Sequence, residues 1–339
     1  MRALLLCVGV AAAACSAVGS GATAAQDAGV DAHKHPLADF DAGAVTVTGP
    51  DKLSETGLYA DFASRTLAAG VISYAPRYPL WSDAAAKDRY LLLPPNAQID
   101  TANMDGWVFP VGTKAWKEFR VGGALIETRL LWKARPDAWF EVAYAWSADG
   151  TDAIAAPNGV KNALGNTHDI PTQVQCDGCH GNVTDGFIGV SALQLSNGPA
   201  GMLAQLAAQG SLTQPPGREF EVPGAGVTKD ALAYLHANCG HCHNDTTRMK
   251  NQTALRLDVH VSDATPEQTG AERTSPGLVM RHILPPNIDK AVVPGDPSQS
   301  GLWLRMQRRG DDWEMPPLAT KVVDDAGVAL VGAWITALK

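Results

Sequence analysis

Cys176-Asp177-Gly178-Cys179-His180 and Cys239-Gly240-His241-Cys242-His243 decide how this chain is read. Each string has the form C-x-x-C-H, the attachment signal for c-type haem. The spacing follows from the chemistry. Two thiols separated by two residues reach the two vinyl groups of one porphyrin, and the adjacent imidazole rises under the ring to ligate iron. Two covalent haem c groups are therefore expected, held by Cys176, Cys179, Cys239 and Cys242, with His180 and His243 as proximal ligands. A structural zinc would need four converging ligands, and the two pairs stand 63 residues apart. A redox dithiol would follow a strand in a βαβ unit, and neither pair does.

The amino terminus reads as an export signal. Arg2 precedes an apolar run from Ala3 to Ala14, the layout of a signal peptide over 1–24 and too short to span a bilayer. Ala22-Thr23-Ala24 is an A-x-A site. Ala12-Ala13-Ala14-Cys15 is a loose lipobox that would leave a lipidated Cys15, the one route to a membrane. The expected location is periplasmic or otherwise exported. Of the six cysteines, Cys7 and Cys15 belong to the leader and four to the haem strings. No thiol remains for a structural disulfide. The formal charge of −8 and the lack of a basic run argue against nucleic acid; an acidic surface suits a cationic redox partner protein.

The texture then divides the chain. Residues 25–50 form a flexible lead-in, with His33 and His35 solvated. Residues 51–165 form a Trp-rich β domain: Arg89–Leu93, Ala115–Val121, Leu125–Trp132 and Trp139–Trp146 alternate with period two, separated by Gly, Pro and Asn turns. The reading is an antiparallel β-sandwich-like domain or a curled antiparallel sheet, with its Trp residues in the core. Residues 166–215 carry the first haem string and a helix within Gly198–Gly210 opened by Pro199. A Pro/Gly-rich linker, Ser211 to Gly226, follows. Residues 227–339 read as a cytochrome c-like domain with an insertion at about 251–298. In it a helix runs from Lys229 to Asn238, capped by Thr228, and a terminal helix starts near Asp324 or Asp325. The whole is α+β and multidomain.

The sixth ligand of the second haem is expected to be Met315, in Trp313-Glu314-Met315-Pro316-Pro317-Leu318. A thioether is a soft ligand that favours ferrous iron, and the prolines stiffen its loop. Met306 is the rival; Met280, His260 and His282 are further candidates. For the first haem, Met202 and His168 are the candidates, and a five-coordinate iron is the alternative. The simpler readings make Met202 core and His168 a surface or turn residue.

The chain resembles a group of exported bacterial dihaem c-type cytochromes of unassigned function. The matching strings are Leu53-Ser54-Glu55-Thr56-Gly57-Leu58-Tyr59, Tyr78-Pro79-Leu80-Trp81-Ser82-Asp83, Phe109-Pro110-Val111-Gly112-Thr113, Glu127-Thr128-Arg129-Leu130-Leu131, Tyr234-Leu235-His236-Ala237-Asn238-Cys239, Val293-Pro294-Gly295-Asp296-Pro297 and Met315-Pro316-Pro317-Leu318. In class I cytochromes c the first and last helices cross, and Tyr234 and Trp334 would lie at that crossing. A second similarity is to β-sheet cytochromes whose haem is cross-linked to a lysine: Lys114 and Lys117 precede a C-x-x-C-H string here. Position in the sequence marks out neither lysine, and a second cytochrome-like segment follows. Three functions are compatible with these features: electron transfer; a haem redox enzyme with an open first iron, acting on peroxide or a small nitrogen compound; and a haem-carrying binding module.

Overall fold

Period-two alternation over residues 86–146 builds the first half of the protein. The computed structural model describes residues 49–339. The leader, Cys7, Cys15, His33, His35 and nearly all of the lead-in lie outside the described residues. After a 3-10 turn at Leu53–Glu55 come β1 (Tyr59–Asp61), β2 (Thr66–Leu67), β3 (Ile72–Ser73), β4 (Ala86–Leu92), β5 (Lys114–Val121), β6 (Ala124–Arg135), β7 (Ala138–Trp146) and β8 (Ala153–Ala155). Strands β3 to β8 form one antiparallel sheet in chain order, and β1 pairs with β2 in a small sheet of its own. Gly122 and Gly123, at φ 58° and 86°, close the β5–β6 hairpin, the left-handed pair that a two-residue turn of this hand needs.

Opposed residues share a face of the sheet, so the register sorts its side chains. One face carries Trp116, Leu130, Val142 and Tyr144 and is covered by Leu53, Leu58 and Tyr59. The other carries Leu91, Ala115 and Leu131, which join a core shared with the helical half. The sandwich expectation is thus corrected. Among the described residues no second large sheet faces the first; the amino-terminal segment covers one side and helices the other. Alternation reports that a face is buried but not what buries it. Of the six Trp residues between Trp81 and Trp146, Trp107, Trp116 and Trp146 are buried as expected; Trp132 and Trp139 pack partly buried against the cores, and Trp81 instead is half-buried, donating its indole N–H to the Val322 carbonyl at 3.1 Å.

The helical half contains α1 (Gln173–His180), α2 (Ala192–Leu195), α3 (Met202–Ala208), α4 (Gly226–Asn238) and α5 (Gly270–Thr274). The hairpin β9 (Val279–Leu284) and β10 (Ile288–Lys290) follows, then α6 (Gly301–Met306) and α7 (Asp325–Ala337). Asp324 caps α7 by accepting from the Gly327 N–H at 3.0 Å. Val331, Trp334 and Ile335 are buried on one stripe of α7 at helical spacing, each worth roughly 1.5–3 kcal/mol on burial. Helices α4 and α7 pack together. The ring of Tyr234 lies where a Cβ on Gly327 would stand, so that glycine sets the approach.

Three local expectations are corrected. Pro199 does not open α3; it sits in a turn closed by the Gly201 N–H to the Gly198 carbonyl at 2.8 Å, and the helix starts at Met202. Thr228 lies inside α4, which begins at Gly226. The Ser211–Gly226 segment is docked at its start: the Ile99 N–H donates to Ser211 at 2.8 Å and the Thr213 N–H to Ile99 at 3.0 Å. No helix among the described residues is long and apolar enough to cross a membrane.

Candidate haem site

Thr172 starts the helix that carries the first string. Its hydroxyl accepts from the Gln175 N–H at 3.2 Å, and the Gln175 side chain accepts from the Thr172 N–H at 2.9 Å. This reciprocal cap sets Cys176, Cys179 and His180 at i, i+3 and i+4, on one helical face. The Thr-x-x-Gln signature is readable in the sequence, although the stretch before the string reads as irregular there. His180 ends the helix, and its Nδ1 lies 2.6 Å from the Gly186 carbonyl. A carbonyl only accepts, so Nδ1 carries the proton and Nε2 keeps the lone pair that a metal needs. Burial pushes the His180 imidazole down to about 4, with Lys117 and Arg129 adding to the effect. It is therefore a neutral base at ordinary pH.

The turn that supplies this carbonyl is fixed by the sheet. Asp185 forms an ion pair with Lys133, a fully buried β6 residue, and accepts from the Phe109 N–H at 2.6 Å. The buried charge thus holds in place the segment that orients His180.

The second string begins where α4 ends. Cys239 is the C-cap, and the Cys242 and His243 N–H groups both return to the Cys239 carbonyl, at 3.0 and 2.9 Å. An asparagine follows each string and binds back into it. Asn182 donates to the Gly178 carbonyl at 2.7 Å, and Asn244 to the Gly240 carbonyl at 2.8 Å. Asn244 also donates to the Asn182 carbonyl at 3.1 Å, and Arg248 clasps Asp177 at 2.6 and 3.1 Å. These contacts join the two strings. The ligand atoms of Cys179, His241 and Cys242 come within 4.8 Å of one another. The 63-residue interval that argues against a shared metal in the sequence is closed in space, and these three donors would also suit zinc in a site with an open position.

The thiols differ in acidity. A hydrogen bond from the Cys242 thiol holds Cys179 well below the usual range and raises Cys242. Burial pushes Cys176 and Cys239 up to about 12.

Both strings open on one cavity of about 350 Å³, within the range of small-ligand and cofactor pockets. Cys176, Cys179 and His180 line it from α1, and Gly240, His241 and Cys242 from the second string. The sheet adds Arg89, Lys117, Arg129 and Glu141, and the loop after Met315 adds Pro316, Pro317 and Leu318. Cys239, His243 and Met315 are not among the lining residues. Met315 is half-buried; its N–H donates to the Arg305 carbonyl at 3.1 Å, and its carbonyl accepts from Arg309 at 3.2 Å.

The other ligand candidates separate cleanly. Met202 and Met306 are buried in the core, and Met280 packs against Gly301. His168 is buried rather than on the surface, with Nε2 3.5 Å from Glu127 and its ring beside Phe119. Neither it nor Met202 lines the cavity. His282 lies on β9 and offers its carbonyl to Arg305 at 3.1 Å. Both His260 nitrogens are engaged, by Asp105 at 3.2 Å and Asp258 at 3.3 Å. His236 lines the cavity, although nothing in the sequence marks it as a site residue. Its Nδ1 accepts from the Val259 N–H at 3.1 Å, which places the proton on Nε2 and leaves no lone pair there. Lys117 lines the cavity, whereas Lys114 points to the opposite face, donating to the Thr56 carbonyl at 2.7 Å.

The residues of the first string fit a covalent haem: the thiols and imidazole share a helical face, the His180 tautomer is the ligating one, and the cavity adjoins them. No protein-family model matches the chain, and no curated protein or solved structure does.

Proposed function

We propose that this protein is an exported dihaem c-type cytochrome that transfers electrons, as the resemblance of its motifs implies. The observation that carries the reading is the meeting of two C-x-x-C-H strings at one cavity, with Cys179 and Cys242 side by side. Covalent haem supplies one-electron redox chemistry; the chain's own residues would attach, orient and shield it. Cys176, Cys179 and His180 would hold one group and Cys239, Cys242 and His243 the other, with Met315 as the sixth ligand of the second. Adjacent attachment sulfurs would bring the two groups close enough for a relay within one chain. The packing of α4 on α7 at Tyr234 and Gly327 supports a cytochrome c-like carboxy-terminal half. The redox partner would be a protein. The test is the haem absorbance of the denatured protein in alkaline pyridine. Two haems per chain are expected, and one after Cys176→Ala with Cys179→Ala. Bound zinc without haem would overturn the reading and leave the Cys179–His241–Cys242 set as a metal site.

A second reading, a haem redox enzyme, is favoured by the cavity itself. Among the described residues no methionine lines it, His236 presents N–H and His260 is fully paired. With the ligand atom of His241 turned to Cys179 and Cys242, a first haem there would have neither methionine nor histidine at its sixth position. Carbon monoxide binding to one ferrous haem per chain supports this reading; no binding supports electron transfer alone.

A further inference from the structure

The sheet's side of the cavity gathers three basic side chains. Arg89, Lys117 and Arg129 stand directly opposite one another on β4, β5 and β6, and all three line the cavity. Opposed residues on antiparallel strands have Cβ atoms roughly 5 Å apart, and like charges so placed repel. Packing does not demand the arrangement. Two residues along each strand, the same face carries Leu91, Ala115 and Leu131 in the apolar core.

The carboxylates around the cavity are engaged or neutral, and the one other acidic group among the described residues there, the Cys179 thiol of the haem-free protein, would be consumed by haem attachment. Glu127 forms an ion pair with Arg129. Asp105 and Asp258 hold His260, and Asp245 holds Arg256 at 2.6 Å. Glu141 lines the cavity with Oε2 lacking a hydrogen-bond partner; burial pushes its carboxyl up to about 8, so it is neutral near pH 7. Lys117 and Arg129 lie over the Phe119 ring at 4.9 and 4.3 Å, which offsets part of the repulsion. The side chains of Arg89 and Lys117 have no ion pair or hydrogen bond to another described residue.

We propose that Arg89, Lys117 and Arg129 form a subsite for an oxyanion group inside this cavity: a carboxylate or a small inorganic oxyanion. Guanidinium forks match two oxygens on one centre; Lys117 stands between them, its ammonium held well below the usual lysine range by burial and by Arg89 and Arg129, so it takes up its full charge when an anion binds. The group has two sources. It is a diffusible anion, or it is a carboxylate of a porphyrin bound to the first string. Only the second source rests on the haem reading.

The experiment uses the mature protein after its haem content has been measured. Nitrite is titrated calorimetrically at constant ionic strength in chloride. A diffusible anion predicts one saturable site, weakened at least tenfold in Arg89→Gln and Lys117→Gln and unchanged in Arg135→Gln, an exposed cation at the end of β6. Lys117→Met repeats the measurement where glutamine disturbs the fold. If nitrite does not bind the haem-loaded protein, the porphyrin source predicts that the same variants lower the reduction potential of one haem while Arg135→Gln does not. Absence of both effects overturns the subsite. If no haem is present, the haem reading falls, and nitrite binding alone decides. A diffusible anion also predicts that, without added anion, Arg89→Gln melts no lower than the parent protein, because it removes a repulsion; a porphyrin carboxylate held by Arg89 predicts that the haem-loaded variant melts lower.

Discussion

His180 and His236 line the same cavity, and one hydrogen bond gives them opposite roles. A carbonyl at Nδ1 leaves His180 a lone pair on Nε2; a backbone N–H at Nδ1 makes His236 a donor there. The ion pair of Lys133 with Asp185 stands behind His180. Asp185→Asn should leave a buried ammonium unpaired and cost roughly 3–5 kcal/mol, read from urea denaturation. Adding Lys133→Met should restore much of that loss, and additive losses would show that the pair is not coupled. His260 gives a pH signature. Asp105 and then Asp258 raise its imidazole from 6.5 to about 10. The contribution to stability is complete below the unfolded value near 6.5 and is lost as pH rises through about 10. The melting temperature of the parent should therefore fall relative to His260→Gln across that window. Parallel curves for the two proteins would remove His260 as the cause.

Among the elements, helix α1 is only eight residues long and needs its Thr172–Gln175 cap, and its face sets Cys176, Cys179 and His180 together. The sheet contributes by strand parity. Lys117 and Lys114 are three residues apart on β5 and therefore face opposite ways, so only Lys117 meets the cavity. The packing of α4 with α7 rests on a stripe of buried residues centred on Trp334. Trp334→Ala should cost about 3–5 kcal/mol, as large-to-small core changes do, and lower the urea midpoint accordingly. A shift below 1 kcal/mol would mean that the stripe contributes little.

At the scale of the whole molecule, one apolar core runs from Leu91 on the sheet to Ile335 on α7, and the described residues fall within one compact unit. The two strings are fastened by Asn182, Asn244 and the Arg248–Asp177 pair, so their cysteines report on loading. In haem-free protein, iodoacetamide should modify Cys179 before Cys176 and Cys239, since the thiolate is the nucleophile. In haem-loaded protein all four sulfurs should be blocked, a difference that peptide mass spectrometry reads directly. Equal labelling of the four thiols in haem-free protein would remove the Cys242–Cys179 hydrogen bond as a determinant of reactivity.

Much of this protein is written locally. Period-two alternation places the four long strands, the Asp324 cap and the 3.6-residue stripe place α7, and the C-x-x-C-H spacing by itself singles out the residues proposed to hold haem. Those signals are short-range, because backbone hydrogen bonding and side-chain parity depend on neighbours a few residues away. What covers each face of the sheet is not local. Neither is the meeting of Cys179 with Cys242, which depends on asparagines bonding across a 62-residue interval. The sequence leaves Lys114 and Lys117 equivalent, and His168, Met202 and an open position all remain candidates for the first iron. Register separates the lysines, and packing removes His168 and Met202 from the cavity. Only the assembled structure decides these points, because a cavity wall is made of residues distant in the chain whose orientation is set by the packing of every element around them.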